Sequence, residues 1–327
     1  MLKLSFISNF SDMNRLLKNV GVLLLIILLL AISVDYVITT GLRKSDIRKY
    51  AVWNDIFDSK IDADVVIMGS SETWCGYNTY VIDSLLHCNS YNLAIDGHAL
   101  KYQLLRYNTY RRFCHRPKMI IVNLDIPGVF RDDKGYAYER EQFFPYIKDD
   151  SLINCVLSDK RISMLDRYLP LYRYFGYRDE IEDGFRSFFG RSYVEGGMYK
   201  GYRGNEYKWS SGSLAMDSLF EAPNNPEVVS LFYDYVRTAK EEGISVVLVE
   251  FPEYFMLRKK FSNVFEIECV FRELASKLDV PLLDYSDLRI CYDTMFYYNP
   301  SHLNKSGSEL FTFELCKDLD SLGVLPR

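Results

Sequence analysis

The chain reads as an α/β protein: a doubly wound parallel sheet in three layers, carried on an N-terminal transmembrane helix. Three observations predict this. Runs of strand length alternate with runs of helical period at both ends of the body, as βαβ units require. The strand-length runs ADVVIMGSS, KMIIVNL and ISVVLVEF are almost continuously apolar, which suits strands buried on both faces. Residues 19–34, NVGVLLLIILLLAISV, carry no charge.

The anchor comes first. Apolar character resumes after Asp35 in YVI, and at about 1.5 Å per residue the stretch Val20–Leu42 is long enough for a hydrocarbon core of about 30 Å. A cleaved signal peptide is the rival reading. The run is long and starts late, and no small-x-small site precedes Asp35, so a retained anchor is expected. Asp35 falls near the far end, where a charged side chain reaches the interface at little cost. The expected organisation is a short tail (1–19), the anchor (20–42), a juxtamembrane linker (43–60) and the body (61–327). Lys3, Arg15 and Lys18 before the span nearly balance Arg43, Lys44, Arg48 and Lys49 after it, so charge leaves the orientation open. A short tail inside and a large domain outside is the commoner outcome for a lone N-terminal anchor.

In the body, ADVVIMGSS is the first strand. NTYVIDSLL follows as a short helix, SYNLAI as a strand, His98 to Phe113 as a longer helix and KMIIVNL as a strand after Pro117. Towards the other end, PEVVSLFYDYVRTAKEEG is a helix stopped by Gly243. ISVVLVEF is a strand, VFEIECVFRELASKL a helix, VPLLDY a strand and residues 304–321 a closing helix. Between about 130 and 225 the pattern dissolves into Tyr, Arg, Gly and Phe without a sheet period. This stretch is expected as an insertion over the body, its aromatics either lining a carbohydrate groove or packing as a lid.

Composition excludes several classes. Lys and Arg total 39 against 44 Asp and Glu in 327 residues, a formal net charge of -5, so nucleic acid is not an expected ligand. The seven cysteines contain no Cys-x-x-Cys pair, which removes a zinc ribbon or a thioredoxin-like redox pair. The hydrophobic fraction of 48% supports a sizeable core.

Ligands of open parallel sheets bind beyond the carboxyl ends of the strands, so the residues just after each strand are the candidates. Gly69-Ser70-Ser71-Glu72 follows the first strand; its hydroxyls serve either as a helix cap or as a nucleophile. Asn92-Leu93-Ala94-Ile95-Asp96-Gly97 follows the second, with Gly97 expected to open the next helix; a glycine there offers its N–H to a ligand or simply permits a tight turn. Tyr298-Asn299-Pro300-Ser301-His302 precedes the closing helix, where Ser306 and Glu309 suggest a capping box. His302, one of four histidines, lies in a loop rather than on an apolar stripe, which suits a proton acceptor.

Taken together, these residues resemble the SGNH (GDSL-like) hydrolase superfamily. VVIMGSSE is similar to its first block with Ser70 in place of the usual Asp, which makes Ser71 the nucleophile. YNLAIDG resembles the second block, with Ala94 in the first Gly place, and casts Gly97 beside the Ser71 N–H as an oxyanion donor. Asn299-Pro300-Ser301-His302 resembles the Asp-x-x-His block, giving His302 as general base and Asn299 in the place of the orienting Asp. In a serine protease the corresponding Asp-to-Asn change costs about 10⁴ in turnover. The third block, ordinarily Gly-x-Asn-Asp, reads Asn123-Leu124-Asp125, with Asn123 or Asp125 substituting for the oxyanion Asn.

More narrowly, the anchor with the GSSE and YNLAIDG stretches looks like membrane-anchored SGNH proteins of bacterial envelope-polysaccharide clusters. It is also similar to the D-alanyl transfer protein of the teichoic-acid pathway and, more distantly, to alginate O-acetyltransferases. The resemblance implies a flavodoxin-like three-layer fold and an outward-facing domain on the bacterial cytoplasmic membrane. It implies serine-dependent acyl-ester chemistry on a surface polysaccharide, by transfer or hydrolysis, with no metal or organic cofactor. The implied partners are an acylated polysaccharide or acyl donor and a membrane-bound acyltransferase. The alternative is a catalytically inactive SGNH scaffold that binds glycan or an assembly partner.

Overall fold

The computed structural model describes residues 10–132, 139–158, 162–192, 198–211, 214 and 218–324. Lys3 and most of the expected tail, with parts of the expected insertion, lie outside them. In chain order, α1 (Phe10–Leu42) is followed by α2 (Arg48–Phe57), β1 (Val65–Met68), α3 (Ser71–Gly76), α4 (Thr79–Leu86), β2 (Ser90–Asn92), α5 (Leu100–Phe113) and β3 (Met119–Leu124). Next come α6 (Asp150–Ser158), α7 (Met164–Tyr168) and α8 (Arg178–Phe188), then the short strands β4 (Met198–Tyr199) and β5 (Tyr202–Arg203). The chain closes with α9 (Pro226–Glu241), β6 (Ser245–Glu250), α10 (Phe255–Arg258), α11 (Val264–Leu278), β7 (Leu282–Asp284), β8 (Tyr297–Asn299), β9 (His302–Leu303) and α12 (Lys305–Leu322). They form two compact units, residues 1–46 with 139–193 and residues 47–138 with 194–327.

The second unit is the α/β body. Its five main strands are all parallel, in the order β2-β1-β3-β6-β7. Alternation along each strand divides their side chains between the two faces. Val65, Ile67, Met119, Ile121, Val247 and Val249 join Ile82 of α4 and Phe311, Leu315 and Leu319 of α12 in one core. Val66, Ile120, Val122 and Leu248 are equally buried on the other face, where Tyr235 of α9 reaches Met68. With both faces covered, no strand can afford a polar alternation.

The sequence accounts for most helix ends. Asn225 caps α9 by accepting from Glu227 N–H at 2.9 Å with Pro226 in the first turn, and Gly243 just beyond it takes φ 77°. Asn78 caps α4 in the same way. Three local expectations are corrected. α5 starts at Leu100 with Ala99 at the cap, so Gly97 does not open the helix but turns the loop before it at φ 70°. Asn304, not Ser306, caps α12, because its carbonyl reaches the Gly307 N–H at 3.0 Å. Only Ser90–Asn92 of SYNLAI is regular strand; beyond it the Leu93 and Ile95 N–H groups still reach the Ile67 and Gly69 carbonyls at 2.9 and 3.1 Å, while the Asn92 side chain accepts from the Ala94 N–H at 3.0 Å.

Within the stretch 43–60, α2 packs on α5; Trp53 is buried with the Arg106 guanidinium over its ring, and Asp55 accepts from Tyr91 OH at 2.6 Å. In the first unit α1 packs along α8. Helices α6–α8 emerge from the region where no period was visible, and Phe143, Phe144, Tyr146 and Tyr174 form core there rather than a groove.

Candidate functional site

In this strand order the chain reverses direction of progress between β1 and β3, so their carboxyl ends flank the crevice where ligands of such sheets bind. Gly69 leaves β1 at that point. A Cβ on it would lie 1.8 Å from Thr73 Oγ1 and 2.9 Å from Asn123 Cβ, so only glycine lets the turn into α3 pass this close to β3. Ser70 holds the cap position of α3 but its hydroxyl caps nothing. It donates to Glu72 Oε2 and lies 3.4 Å from Asp125 Oδ2, beyond the end of β3. Ser71 is the first helical residue, half-buried, and its hydroxyl donates to the same Glu72 Oε2 at 3.3 Å.

The C-terminal segment comes alongside: α3 packs against β9, which carries His302. His302 Nδ1 lies 2.8 Å from Asn299 Oδ1, and the same oxygen accepts from the His302 N–H at 3.0 Å and the Ser301 N–H at 3.1 Å. The Ser301 hydroxyl lies 2.7 Å from the same Nδ1, so this nitrogen faces an acceptor in Asn299 and a hydroxyl that can accept or donate. The Tyr298 ring stacks on the imidazole, with centroids 5.3 Å apart and 28° between planes. One oxygen of Asn299 thus faces the His302 ring and two backbone N–H groups of the same turn.

The second block joins these two through a small cluster. Ala94 is buried against Trp74 and Cys75 of α3, with Tyr298 packed on the same group. Burial pushes both the Cys75 thiol and the Tyr298 phenol upward, so neither ionises near neutrality. Gly97, half-exposed, is held by Arg131, which donates to its carbonyl at 2.9 Å. Asn123 accepts from Tyr77 OH at 2.6 Å, and its own Nδ2 is buried with no hydrogen-bond partner among the described residues.

Several residues at this edge were not foreseen from sequence. Glu72 was quoted within its motif but given no role, yet it gathers both serine hydroxyls while 6% exposed. Asp125, which the sequence offered beside Asn123 as an oxyanion residue, is instead a buried carboxyl held well above the usual range, first by burial and then by the charge of Glu72, with Arg131 opposing. Glu253, just past β6, receives the Ile126 N–H at 3.3 Å and is raised by burial; Glu250 at the end of β6 is pushed up to about 7 by burial, with Arg258 2.8 Å away opposing. The rule that led to Gly69 and Ser71, inspection of the residues after each strand, applies equally to Phe251-Pro252-Glu253 after β6. Arg48 and Arg203 lie over the Trp74 ring at 4.8 and 5.5 Å, a cationic flank that no sequence pattern marks.

The Ser71 hydroxyl is thus held by Glu72 on α3, and the His302 ring by Asn299 and Ser301 on the segment packed against that helix. No protein-family model matches the chain. No curated protein matches it at a significant level. Among solved structures, one provisionally described as a platelet activating factor from Streptococcus pneumonia is similar over 96% of this chain and 99% of that one, at 12% identity and a TM-score of 0.40. A likeness that distant says nothing about activity, so the functional reading rests on the residues of this chain.

Proposed function

We propose that the chain carries out serine-dependent acyl-ester chemistry of the SGNH type on a cell-surface polysaccharide, as an O-acyltransferase or an esterase. In this reading α1 spans the bacterial cytoplasmic membrane and the α/β body faces outward. Ser71 Oγ attacks the acyl carbonyl and passes its proton to His302 Nε2; the N–H groups of Ser71 and Gly97, with Asn123 Nδ2, hold the oxyanion. Collapse of the tetrahedral intermediate expels the alcohol, which takes the proton from His302. A sugar hydroxyl or water then attacks the acyl carbon while giving its proton to His302, and His302 returns that proton to Ser71 Oγ as the acyl–Ser71 bond breaks. An acyl donor, or a membrane-bound acyltransferase that supplies one, is the expected partner.

The observation that carries this reading is the His302 ring, pinned through Nδ1 by Asn299 on a strand packed against the helix that begins with Ser71. The test uses the detergent-solubilised full chain, because α1 contributes to a packed unit and truncation within it would disturb that unit. The protein should release acid from p-nitrophenyl acetate, and Ser71→Ala and His302→Ala should each reduce release to the uncatalysed rate. Activity retained in both variants defeats the assignment. Asn299→Asp should leave activity unchanged or raise it.

A second reading has two observations in its favour. Glu72 holds the Ser71 hydroxyl, and Asn299 stands in place of the orienting Asp, as in a scaffold that binds acylated glycan without turning it over. Glycan binding by a chain inert towards every acyl ester offered supports it.

A further inference from the structure

α1 changes character along its length. From Met13 through Leu30 its apolar side chains are bare, with Leu24 60% and Leu30 61% exposed, whereas Ile38 and Leu42 are fully buried. The transition falls at Asp35. Arg173, 4% exposed, donates to Asp35 Oδ1 at 2.5 Å and to Thr39 Oγ1 at 2.9 Å; the Leu171 N–H reaches Asp35 Oδ2 at 2.8 Å, and Tyr174 OH lies 2.8 Å from Thr39 Oγ1. The segment 171–174 is thus belted to α1 where its bare stretch ends.

The same segment displays an apolar surface that the unit leaves uncovered. Met164 (56%), Leu165 (52%), Tyr168 (68%), Leu169 (47%), Tyr172 (45%) and Phe175 (88%) are all exposed, within twelve residues of chain. The turn of α7 that carries the first three is pinned by a reciprocal cap between Ser163 and Asp166. A run of exposed apolar and aromatic residues on this scale marks an interaction surface. Its level on α1 identifies the occupant. Asp35 is the first charged residue of α1 after Lys18, and the uncharged run between them rises about 24 Å at 1.5 Å per residue, so the lipid-facing part of α1 closes at the belt rather than at Leu42. Tyrosine rings with apolar bodies and polar tips are the side chains that settle at that boundary.

We propose that the segment Ser163–Phe175 lies in the interfacial layer of the bilayer that α1 crosses, as a collar seating the first unit on the lipid. This rests on α1 being a membrane span and is independent of any acyl chemistry. The collar supplies a second contact with lipid, so the unit is held at a set height above the membrane rather than swinging on a single helix.

The test reconstitutes the full chain in phosphatidylcholine vesicles with and without bromine on the acyl chains. Fluorescence is read as the difference from the parent chain, in which Trp53, Trp74 and Trp209 give a constant background. Phe175→Trp and Tyr168→Trp should emit to the blue and lose most of their added emission in brominated lipid. Phe189→Trp, beyond α8 and 70% exposed, should do neither. Leu25→Trp reports on the anchor and should be quenched strongly. Quenching at 25 with water-like, unquenched emission at 168 and 175 overturns the collar and leaves the anchor standing. Blue-shifted emission at 175 that ignores bromine gives the surface to a protein, a second copy included, and also overturns it. No quenching at 25 removes the anchor and the collar together, while acid release from p-nitrophenyl acetate remains a separate measurement.

Discussion

The two units are held together by different physics. In the α/β body the sheet strands bury aliphatic side chains on both faces, and polarity gathers at one edge, beyond the strand ends. The unit built on α1 also has an apolar core, in Phe143, Phe144, Leu152 and Ile153, but its seam with α1 is made by contacts that are polar or nearly contactless in side chain: Asp35 with Arg173, Ser45 Oγ donating to Asp183 at 2.6 Å, and Gly41 against Gly184. A Cβ on Gly41 would fall 1.7 Å from the Gly184 carbonyl oxygen, so α1 and α8 meet backbone to backbone. Close approach through small residues and shared hydrogen bonds is how helices associate where apolar burial offers little gain, as in a membrane. The contrast teaches that α1 continues a membrane style of packing past the end of its bare stretch.

Four perturbations would break or sharpen that contrast. The largest effect is expected from Ile121→Ala in the middle of β3, between Ile67 and Val247, which should cost about 4 kcal/mol in urea unfolding of the body. Below about 1 kcal/mol, the sheet would not be the dominant core. Next, Arg173→Met strands Asp35 in a nearly buried place and should destabilise the first unit by about 3 kcal/mol, seen as faster proteolysis within 139–192; Asp35→Leu added to it should recover most of the loss. Third, Gly41→Ala should cost about 2 kcal/mol by forcing α1 from α8, and a neutral result would mean the two helices are not in close register.

The gentlest effect is a pH slope in the body. Asp125 keeps its proton in the folded state well above the pH at which an unfolded Asp, near about 4, has lost it. The folded state then binds more protons than the unfolded one, so stability falls as pH rises from about 4 towards the raised value, by at most about 1.4 kcal/mol per pH unit. Asp125→Asn, which preserves the neutral form, should flatten that part of the curve, measured by urea midpoints across pH. A wild-type curve that instead rises through this window would mean Asp125 folds ionised.

Much of this was legible in advance where the local signal and the tertiary demand agree. The runs at 65–68, 119–124 and 245–250 are strands because no helix period fits them and both their faces are covered. Asn225-Pro226 and Gly243 bracket α9 because cap and stop act through backbone geometry alone. Helices α6–α8 were illegible because they are short and partly aromatic; α8 packs on α1, α6 on the turn 140–146 and α7 on the turn 172–174. At the candidate site, Ser71, Asn299 and His302 could be singled out because each follows a strand or precedes a helix. Glu72 and Glu253 could not be assigned a role, since a carboxylate near a strand end is ordinary until burial makes it costly.

By itself, the sequence determined the alternation of strand and helix, the parallel sheet that follows from it, and a helix long and apolar enough to cross a membrane. All of these depend on the periodicity and length of local runs. Only the tertiary structure decided that Glu72 collects both serine hydroxyls, that Asn299 Oδ1 collects the Ser301 and His302 N–H groups, and that Asp35 is met by Arg173. Each of those joins a donor to an acceptor whose identity depends on three-dimensional approach, and chain spacing carries no record of which of several eligible partners comes within 3 Å.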